Sequence, residues 1–485
     1  MHSQEIHARL KHPVIDSDAH WLEFGPMMKE RIAKIAGRKV ADCFDGLDSL
    51  IGEAQRMGPE GRRHHRAAHP GFWQLPMQNT RDRATAMMPK LLYERLDELG
   101  LDFCVMYPTG AAAFTEDKDL QRKALRAFNT FSAEYFADYS DRLTPVAVIP
   151  TATPDEAIEE VEYVTGTLGM KAALFGGMIP RPAPAAADGD EGAARLGYWY
   201  DVLGLDSIHD YDPLWQKCVD VGISPTFHAA GRGYALRRSP SNFTYNHIGH
   251  FASTAEAICK AMFLGGVSRR FPTLTMAFLE GGVSYACQLY ADLIGHWNIR
   301  NPEALEVVNP ANLDHEGLME FARQYGPEDM ARLMVDRDAA LYAAINTQAS
   351  VDTGGEATLD DFAACEIERA EDFRELFGNF YFGCEADDRM NVWAFNDRVN
   401  PLGTRINALF SSDIGHFDVA DMSEVLEEAW ELVDDGLMTP DDFKAFTFDN
   451  PAHFWTSGNR DFFKGTAVEA DVEALLGEAE LAAGG

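Results

Sequence analysis

Eight short apolar runs, separated by segments with helical periodicity, constrain the fold of this 485-residue chain more than any other feature. The runs lie near residues 14, 102, 145, 171, 224, 274, 380 and 406. Apolar runs that alternate with amphipathic segments are typical of parallel strands joined by helices. Eight such strands favour a closed barrel over an open sheet, and no glycine-rich phosphate-binding loop follows any of them. The sequence therefore predicts an α/β fold, a (β/α)8 TIM barrel.

Two long stretches interrupt this alternation, at residues 23–100 and 300–378. Both lack strand periodicity, and the second is rich in acidic residues and alanine. We predict that they are mostly helical insertions in a single barrel domain spanning residues 12–465, followed by a tail at 466–485. We also expect the insertions to cover the mouth of the barrel.

The charge balance restricts the partners of the chain. Its 77 acidic residues outnumber its 42 basic residues and give a formal net charge of −35. Such a surface repels nucleic acid and anionic lipid, so we expect neither as a partner. We expect a small-molecule substrate, and a homodimer as the default assembly.

The spacing of the cysteines and the distribution of apolar residues indicate the cellular compartment of the protein. The seven cysteines are scattered and never spaced C-x-x-C, which indicates buried thiols in a reducing compartment. The N-terminal residues lack the apolar core of a signal peptide, and the chain has no run of about 18 apolar residues. We therefore expect a soluble, cytoplasmic protein.

Side chains that bind metals stand at the ends of the apolar runs. They are Asp18 and His20 in the first run, and then His228, Glu280, Glu385 and Asp413 in runs five to eight. In a barrel, the carboxyl ends of all strands form one rim, where catalytic residues of this fold lie. Each residue alone is better explained as a cap or a satisfied core group. Together they predict a cation, because carboxylates gathered on one rim repel each other unless a cation neutralises them.

Several motifs around these residues resemble a known family. His20 follows an Asp-x-Asp strand, His228 ends the fifth run, and residues 412–418 read Ser-Asp-Ile-Gly-His-Phe-Asp. These features, with residues 265–272, 278–282 and 449–452, resemble the amidohydrolase superfamily. The most similar branch contains aminocarboxymuconate-semialdehyde decarboxylase, resorcylate decarboxylases and certain meta-cleavage-product hydrolases. The resemblance covers the barrel and omits both insertions.

The resemblance implies a site for one divalent ion, held by Asp18, His20, His228 and Asp413. Two positions depart from the pattern. Asp18 stands where relatives often carry His or Glu, and Glu280 stands where they carry a His that faces the substrate. Glu280 is then a fifth ligand or a general base. Three carboxylates on one ion leave a net charge of −1 and suit harder metals, so we expect zinc with manganese as the alternative. Asp16, two residues before Asp18, is expected to be a support inside the barrel.

Other residues near the rim are candidates for binding substrate. His247 and His250 precede a helix and either contact substrate and transfer protons or cap that helix. Arg232, Arg237 and Arg238 follow His228 and are candidate anchors for an anion, although at least one is expected to serve only solubility. The remaining candidates are Tyr107, Trp21 and His296 as pocket-lining residues, and His416 and Asp418 as neighbours that orient Asp413.

The favoured activity is metal-dependent hydrolysis of a C–N or C–C bond in a small carboxylated, aromatic-derived substrate. In this hypothesis the metal activates water, Asp413 or Glu280 moves protons, and His250 or Arg232 binds a substrate oxygen. The first alternative is nonoxidative decarboxylation on the same scaffold. The second is a catalytically silent barrel that only binds a ligand.

Overall fold

Among the described residues, eight parallel strands form the central sheet. The computed structural model describes residues 2–45, 56–69, 78–110, 115, 117–182, 198–228, 236–337, 340 and 359–483. The strands are β1 Ile15–Trp21, β2 Phe103–Pro108, β3 Leu143–Ile149, β4 Ala172–Phe175, β5 Pro225–Phe227, β6 Met276–Phe278, β7 Phe380–Glu385 and β8 Asn407–Ser411. Each strand pairs in parallel with the next in chain order.

Backbone hydrogen bonds between β1 and the segment after β8 close the barrel. The Asp413 N–H donates to the Asp18 carbonyl at 3.2 Å, and the His20 N–H donates to the Ile414 carbonyl at 2.8 Å. The predicted (β/α)8 barrel is therefore confirmed. The closure matters for function because it brings the polar end of β1 beside the polar residues that follow β8.

Helices return the chain from each strand and pack on the outside of the barrel. The main ones are Lys118–Phe136, Pro154–Gly166, Asp212–Val221, His250–Leu264, Ser284–Arg300 and Val425–Asp434. The helix at Pro154 begins as its sequence predicts, because Thr153 and Glu156 form a reciprocal capping box. None of the described helices has both the length and the apolar content needed to cross a bilayer.

The described parts of both insertions are helical. In residues 23–100 the helices are Gly25–Ala36, Arg38–Ala41, Gly58–His65, Thr80–Met87 and Pro89–Leu99. In residues 300–378 they are Pro302–Val308, His315–Tyr325, Glu328–Leu333 and Asp372–Phe377. An antiparallel hairpin, Ile179–Pro182 with Tyr198–Asp201, was not expected, because the proline-rich sequence after β4 predicts a loop. A buried ion pair between Arg181 and Asp201, 2.8 Å apart, holds its two strands together.

Aromatic residues near the C-terminus pack against the interior of the barrel. The helices Pro440–Lys444, Asn450–Ser457 and Glu469–Ala483 follow β8 in this region. Trp455, Phe462 and Phe463 belong to the same buried cluster as the inward-facing strand residues. Val468 and Val472, which lie within the predicted tail at 466–485, are also buried in that cluster. The alanine-rich composition concealed these two apolar positions.

Candidate metal centre

Four strand ends bring six side chains with metal-binding atoms together. Asp18 and His20 come from β1, His228 follows β5, Glu280 follows β6, and Asp413 and His416 follow β8. They form two groups of four that share His20 and Glu280, and within each group the donor atoms all lie within 4.8 Å of one another. The barrel therefore collects at one rim the residues that the strand-end pattern indicated.

The distances between donor atoms match the spacing expected around one ion. The Nε2 atom of His20 lies 3.3 Å from Asp18 Oδ1 and 3.3 Å from Asp413 Oδ1. It lies 3.7 Å from Glu280 Oε2. Ligands about 2.1 Å from a common metal are themselves about 3–3.5 Å apart. Asp18 and Asp413 thus lie at this spacing from His20, and Glu280 lies slightly farther away.

Hydrogen bonding tests whether the residues fit a metal. Asp18 Oδ1, His20 Nε2, His228 Nε2 and both carboxylate oxygens of Asp413 are buried without a hydrogen-bond partner. Buried polar atoms are nearly always hydrogen-bonded, so such a concentration requires an explanation. Oxygen and imidazole nitrogen atoms that converge on one point are the ligands of zinc and manganese. The donor set fits a divalent ion.

The electrostatics of the cluster also fit a cation. Burial raises the pKa of Asp18 to about 6. Burial, reinforced by the negative charges of Glu280 and other carboxylates, raises the pKa of Asp413 well above its usual range. Burial lowers the pKa of His20 well below its usual range, so the imidazole is neutral and can coordinate a metal. A divalent ion would stabilise the buried carboxylates in their charged form.

Unusual backbone conformations place two of the carboxylates. Glu280 has φ 56° and Asp413 has φ 53°, both in the left-handed region that residues other than glycine rarely occupy. Each comes within two residues of the end of its strand. Such conformations cost about 1–3 kcal/mol and cluster at functional sites. Sequence patterns indicated both residues but gave no sign of this strain.

His416 contacts the donor cluster directly. Its Nδ1 lies 2.7 Å from Asp413 Oδ1, and its ring stacks on His20 with centroids 3.8 Å apart. The Thr109 hydroxyl lies 3.3 Å from its other ring nitrogen, Nε2. The sequence predicts that His416 binds substrate and orients Asp413, and the structure also places it among the donor atoms of the cluster. Its position three residues after Asp413 is the only signal in the sequence.

A cavity of about 340 Å³ opens beside the cluster. Glu280 lies in its wall together with His247, His250, Phe251, Glu385 and Asp418. The charged residues that line it, among those described, are all acidic. The cavity is large enough for a small aromatic compound, and a candidate metal ligand, Glu280, borders it.

Glu385, at the end of β7, is a carboxyl group that stays neutral near pH 7. Burial, with a further contribution from the negative charge of Glu280, raises its pKa to about 8. A carboxylic acid with such a pKa can donate a proton at neutral pH. The sequence marks Glu385 as a strand-end residue but indicates no role for it.

His247 and His250 both line the cavity, at 4.5 Å between ring centroids. His250 Nδ1 lies 2.6 Å from the His247 carbonyl oxygen. A carbonyl oxygen only accepts, so His250 Nδ1 carries a proton. Arg237 donates to the carbonyl of Ile248, a cavity residue, at 3.4 Å. Arg232 lies outside the described residues.

Two expected pocket residues are placed differently: the Tyr107 ring lies beside the donor cluster, with its centroid 6.0 Å from that of His20 and 6.1 Å from that of His228, whereas His296 lies away from it. Tyr107 is buried inside the barrel, where its hydroxyl donates to Thr226 Oγ1 at 2.9 Å. His296 does not lie where a pocket-lining residue was expected. It is exposed, and its Nδ1 lies 2.6 Å from the carbonyl oxygen of Asp292 in its own helix. The helix Ser284–Arg300 returns from the rim, and His296 lies twelve residues, about 18 Å, along it.

Comparison with known proteins identifies the fold. No protein-family model and no curated protein matches the chain. A solved structure of an amidohydrolase from Mycobacterium avium subsp. paratuberculosis K-10 is 17% identical, with a TM-score of 0.52. The match covers 92% of this chain and 100% of that one. At this identity the likeness shows the fold, and the fold implied by the motifs is confirmed.

Two further solved structures are similar over most of the chain. A dihydroxybenzoic acid decarboxylase from Polaromonas sp. JS666, with bound manganese and 2-nitroresorcinol, is 12% identical with a TM-score of 0.49. That match covers 93% of this chain and 99% of the other. The 5-carboxyvanillate decarboxylase from Sphingomonas paucimobilis is 14% identical with a TM-score of 0.47, over 91% of this chain and 98% of the other.

Proposed function

We propose that this chain is a metal-dependent enzyme of the amidohydrolase superfamily. One divalent ion is held by Asp18, His20, His228 and Asp413, with Glu280 as a fifth ligand or a base. The observation that carries the proposal is the convergence of buried donor atoms without hydrogen-bond partners at the carboxyl rim. The motifs that resemble the superfamily and the amidohydrolase fold support it. A barrel that only binds a ligand has no need for this arrangement.

The donor set suits zinc or manganese. Neutral imidazoles favour zinc, whereas three carboxylate ligands favour a harder ion such as manganese. When bound, the ion supplies a positive charge that binds substrate oxygens and stabilises the negative charge of the transition state. The protein supplies the cavity and the proton donor.

We propose nonoxidative decarboxylation of a small carboxylated phenol as the reaction. The bond from the ring to the carboxylate breaks, its electron pair stays on the ring carbon, and CO2 leaves. The ring carbon then needs a proton, and Glu385, neutral near pH 7 and in the cavity wall, can donate it. The acidic wall also repels a carboxylate more than it repels neutral CO2.

Hydrolysis, the activity favoured by the sequence, is the second candidate. Glu280 supports it, because its Oε2 lies 2.6 Å from His228 Nε2 and its carboxylate borders the cavity. A carboxylate in this position can accept a proton from an attacking water. His250, which also borders the cavity, can serve the same purpose through Nε2 when its ring is neutral.

Isotope labelling separates the two reactions. The full-length protein, loaded with zinc or manganese, is incubated with carboxylated phenols and with amide and dienoic substrates in ¹⁸O-water. We expect CO2 release with no ¹⁸O in the organic product, and a loss of about 100-fold or more in Glu385→Gln, which cannot donate the proton. Label in a newly formed carboxylate would instead establish hydrolysis. No turnover by the loaded protein on any of these substrates would contradict both.

A further inference from the structure

Asp16 lies inside the barrel below the donor cluster and is completely buried. We propose that it is a positioning residue that fixes two candidate metal ligands, Asp18 and Asp413, on the two strands that close the barrel. The inference concerns the same site and therefore rests on the proposed function. It is argued from three hydrogen bonds that converge on one carboxylate.

The first bond follows from an irregularity in β1. Asp16 pairs with Cys104 of β2 and Ala19 pairs with Met106, so three steps along β1 face two steps along β2. Such a bulge leaves a backbone N–H without a partner in the ladder. The Asp18 N–H donates instead to Asp16 Oδ1 at 3.2 Å. The side chain of Asp16 thus sets the backbone that carries Asp18.

The other two bonds come from β8. The Ser412 N–H donates to Asp16 Oδ1 at 3.0 Å, and the Ser412 hydroxyl donates to Asp16 Oδ2. The same hydroxyl accepts the Ile414 N–H at 3.2 Å. Ser412 and Ile414 flank Asp413, whose left-handed backbone needs support from its surroundings. Asp16 therefore restrains the chain on both sides of the second ligand.

The chemistry requires a carboxylate at position 16. An ionised carboxylate only accepts hydrogen bonds, and here it meets three donors. An asparagine in the same place can keep both backbone bonds through its oxygen, but its NH2 group would face the Ser412 hydroxyl. An alanine loses all three. Because Asp16 is not among the donor atoms of the cluster, it acts through Asp18 and Asp413.

Cobalt binding tests the proposal. Metal-free full-length protein and the variants Asp16→Ala and Asp16→Asn are titrated with Co2+ alone, and affinity and the visible absorption spectrum are recorded. Residues that orient metal ligands typically change metal affinity about 10–100-fold. We expect Asp16→Ala to weaken Co2+ binding by about that factor and to alter the spectrum, with Asp16→Asn closer to the parent protein.

A matched control separates positioning from general stability. Asp102 also accepts a backbone N–H from the chain entering β1, that of Val14 at 2.8 Å, but at the opposite end of the barrel. Asp102→Ala is expected to lower the melting temperature and to leave the Co2+ spectrum unchanged. Ser412→Ala removes the hydroxyl bond alone and is expected to weaken Co2+ binding by a smaller factor.

The outcomes are distinguishable. Parent-like affinity and spectrum in Asp16→Ala would overturn the positioning role while leaving the proposed function intact. If Asp16→Ala does not fold, unchanged Co2+ binding in both Asp16→Asn and Ser412→Ala overturns it instead. Failure of the parent protein to bind Co2+ would overturn both the positioning role and the proposed function.

Discussion

At the scale of the residue, the donor cluster is richer in carboxylates than the family pattern implies. Asp18, Glu280 and Asp413 are all buried, and Glu280 Oε2 is within 3.9 Å of a nitrogen on each of three histidines. Such charges are costly to bury unless a cation compensates them. The identity of the side chain at each position should therefore control metal binding more than stability.

Asp413→Asn tests this at one residue. The oxygens of Asp413 make no regular hydrogen bond, and their near neighbours are histidine nitrogens of the cluster, so the substitution removes a charged ligand and leaves the surrounding hydrogen bonds in place. We expect metal affinity to fall by more than the about 10–100-fold typical of supporting residues, with little change in melting temperature of the metal-free chain. Elemental analysis of protein purified without chelators measures it.

Asp418→Asn is the matched control, because Asp418 lines the cavity but lies outside the donor groups. It should keep the metal content of the parent. Equal, near-zero metal in the parent and in Asp413→Asn would favour the silent barrel.

At the scale of the element, the site depends on how the segment after β8 packs on the end of β1. Gly415 has φ 100°, and a Cβ at this position would collide with the carbonyl oxygen of His20 and lie 2.9 Å from its carbonyl carbon. Only glycine permits both this backbone and this approach. The contact holds Asp413 and His416 against the strand that carries His20.

Gly415→Ala should therefore separate the two halves of the site. We expect a loss of about 1–3 kcal/mol of unfolding free energy and weaker metal binding, because the obstruction is backbone and cannot rotate away. Urea unfolding and Co2+ titration measure the two effects.

Gly436→Ala provides the comparison, since Gly436 also has positive φ, 69°, but no atom lies within 4 Å of its Cβ position. It should lose stability from strain alone and keep full metal affinity. Equal metal affinity in both variants would contradict the packing argument.

At the scale of the whole molecule, buried carboxyl groups link stability to pH. Burial raises the pKa of Glu23 to about 7 and of Glu385 to about 8. Near pH 7 each group still carries a proton in the folded metal-free chain. In the unfolded chain the same group has already lost its proton at this pH. Stability from these groups is therefore lost as pH rises through the folded pKa values.

We expect the melting temperature of the metal-free protein to fall between pH 7.5 and 8.5. Burial lowers the pKa of His20 and His416, which opposes this trend up to about pH 7.5, and above that pH the histidines of the unfolded chain are largely neutral. Zinc or manganese should raise the melting temperature more at pH 8.5 than at pH 6.5, because metals bind deprotonated ligands. Calorimetry of stripped and loaded protein tests it, and an equal metal effect at both pH values would contradict it.

Sequence alone determined the barrel and the strand ends that carry Asp18, His20, His228, Glu280 and Asp413. These are local properties, because an apolar run and the residue that ends it are adjacent in the chain. Tertiary structure decided how β1 meets β8, and with it the place of His416 and the bonds of Asp16. It also placed His296 away from the donor cluster and buried Val468 and Val472 of the expected tail. Those outcomes depend on barrel closure, backbone strain and helix direction, which arise only when distant segments pack together.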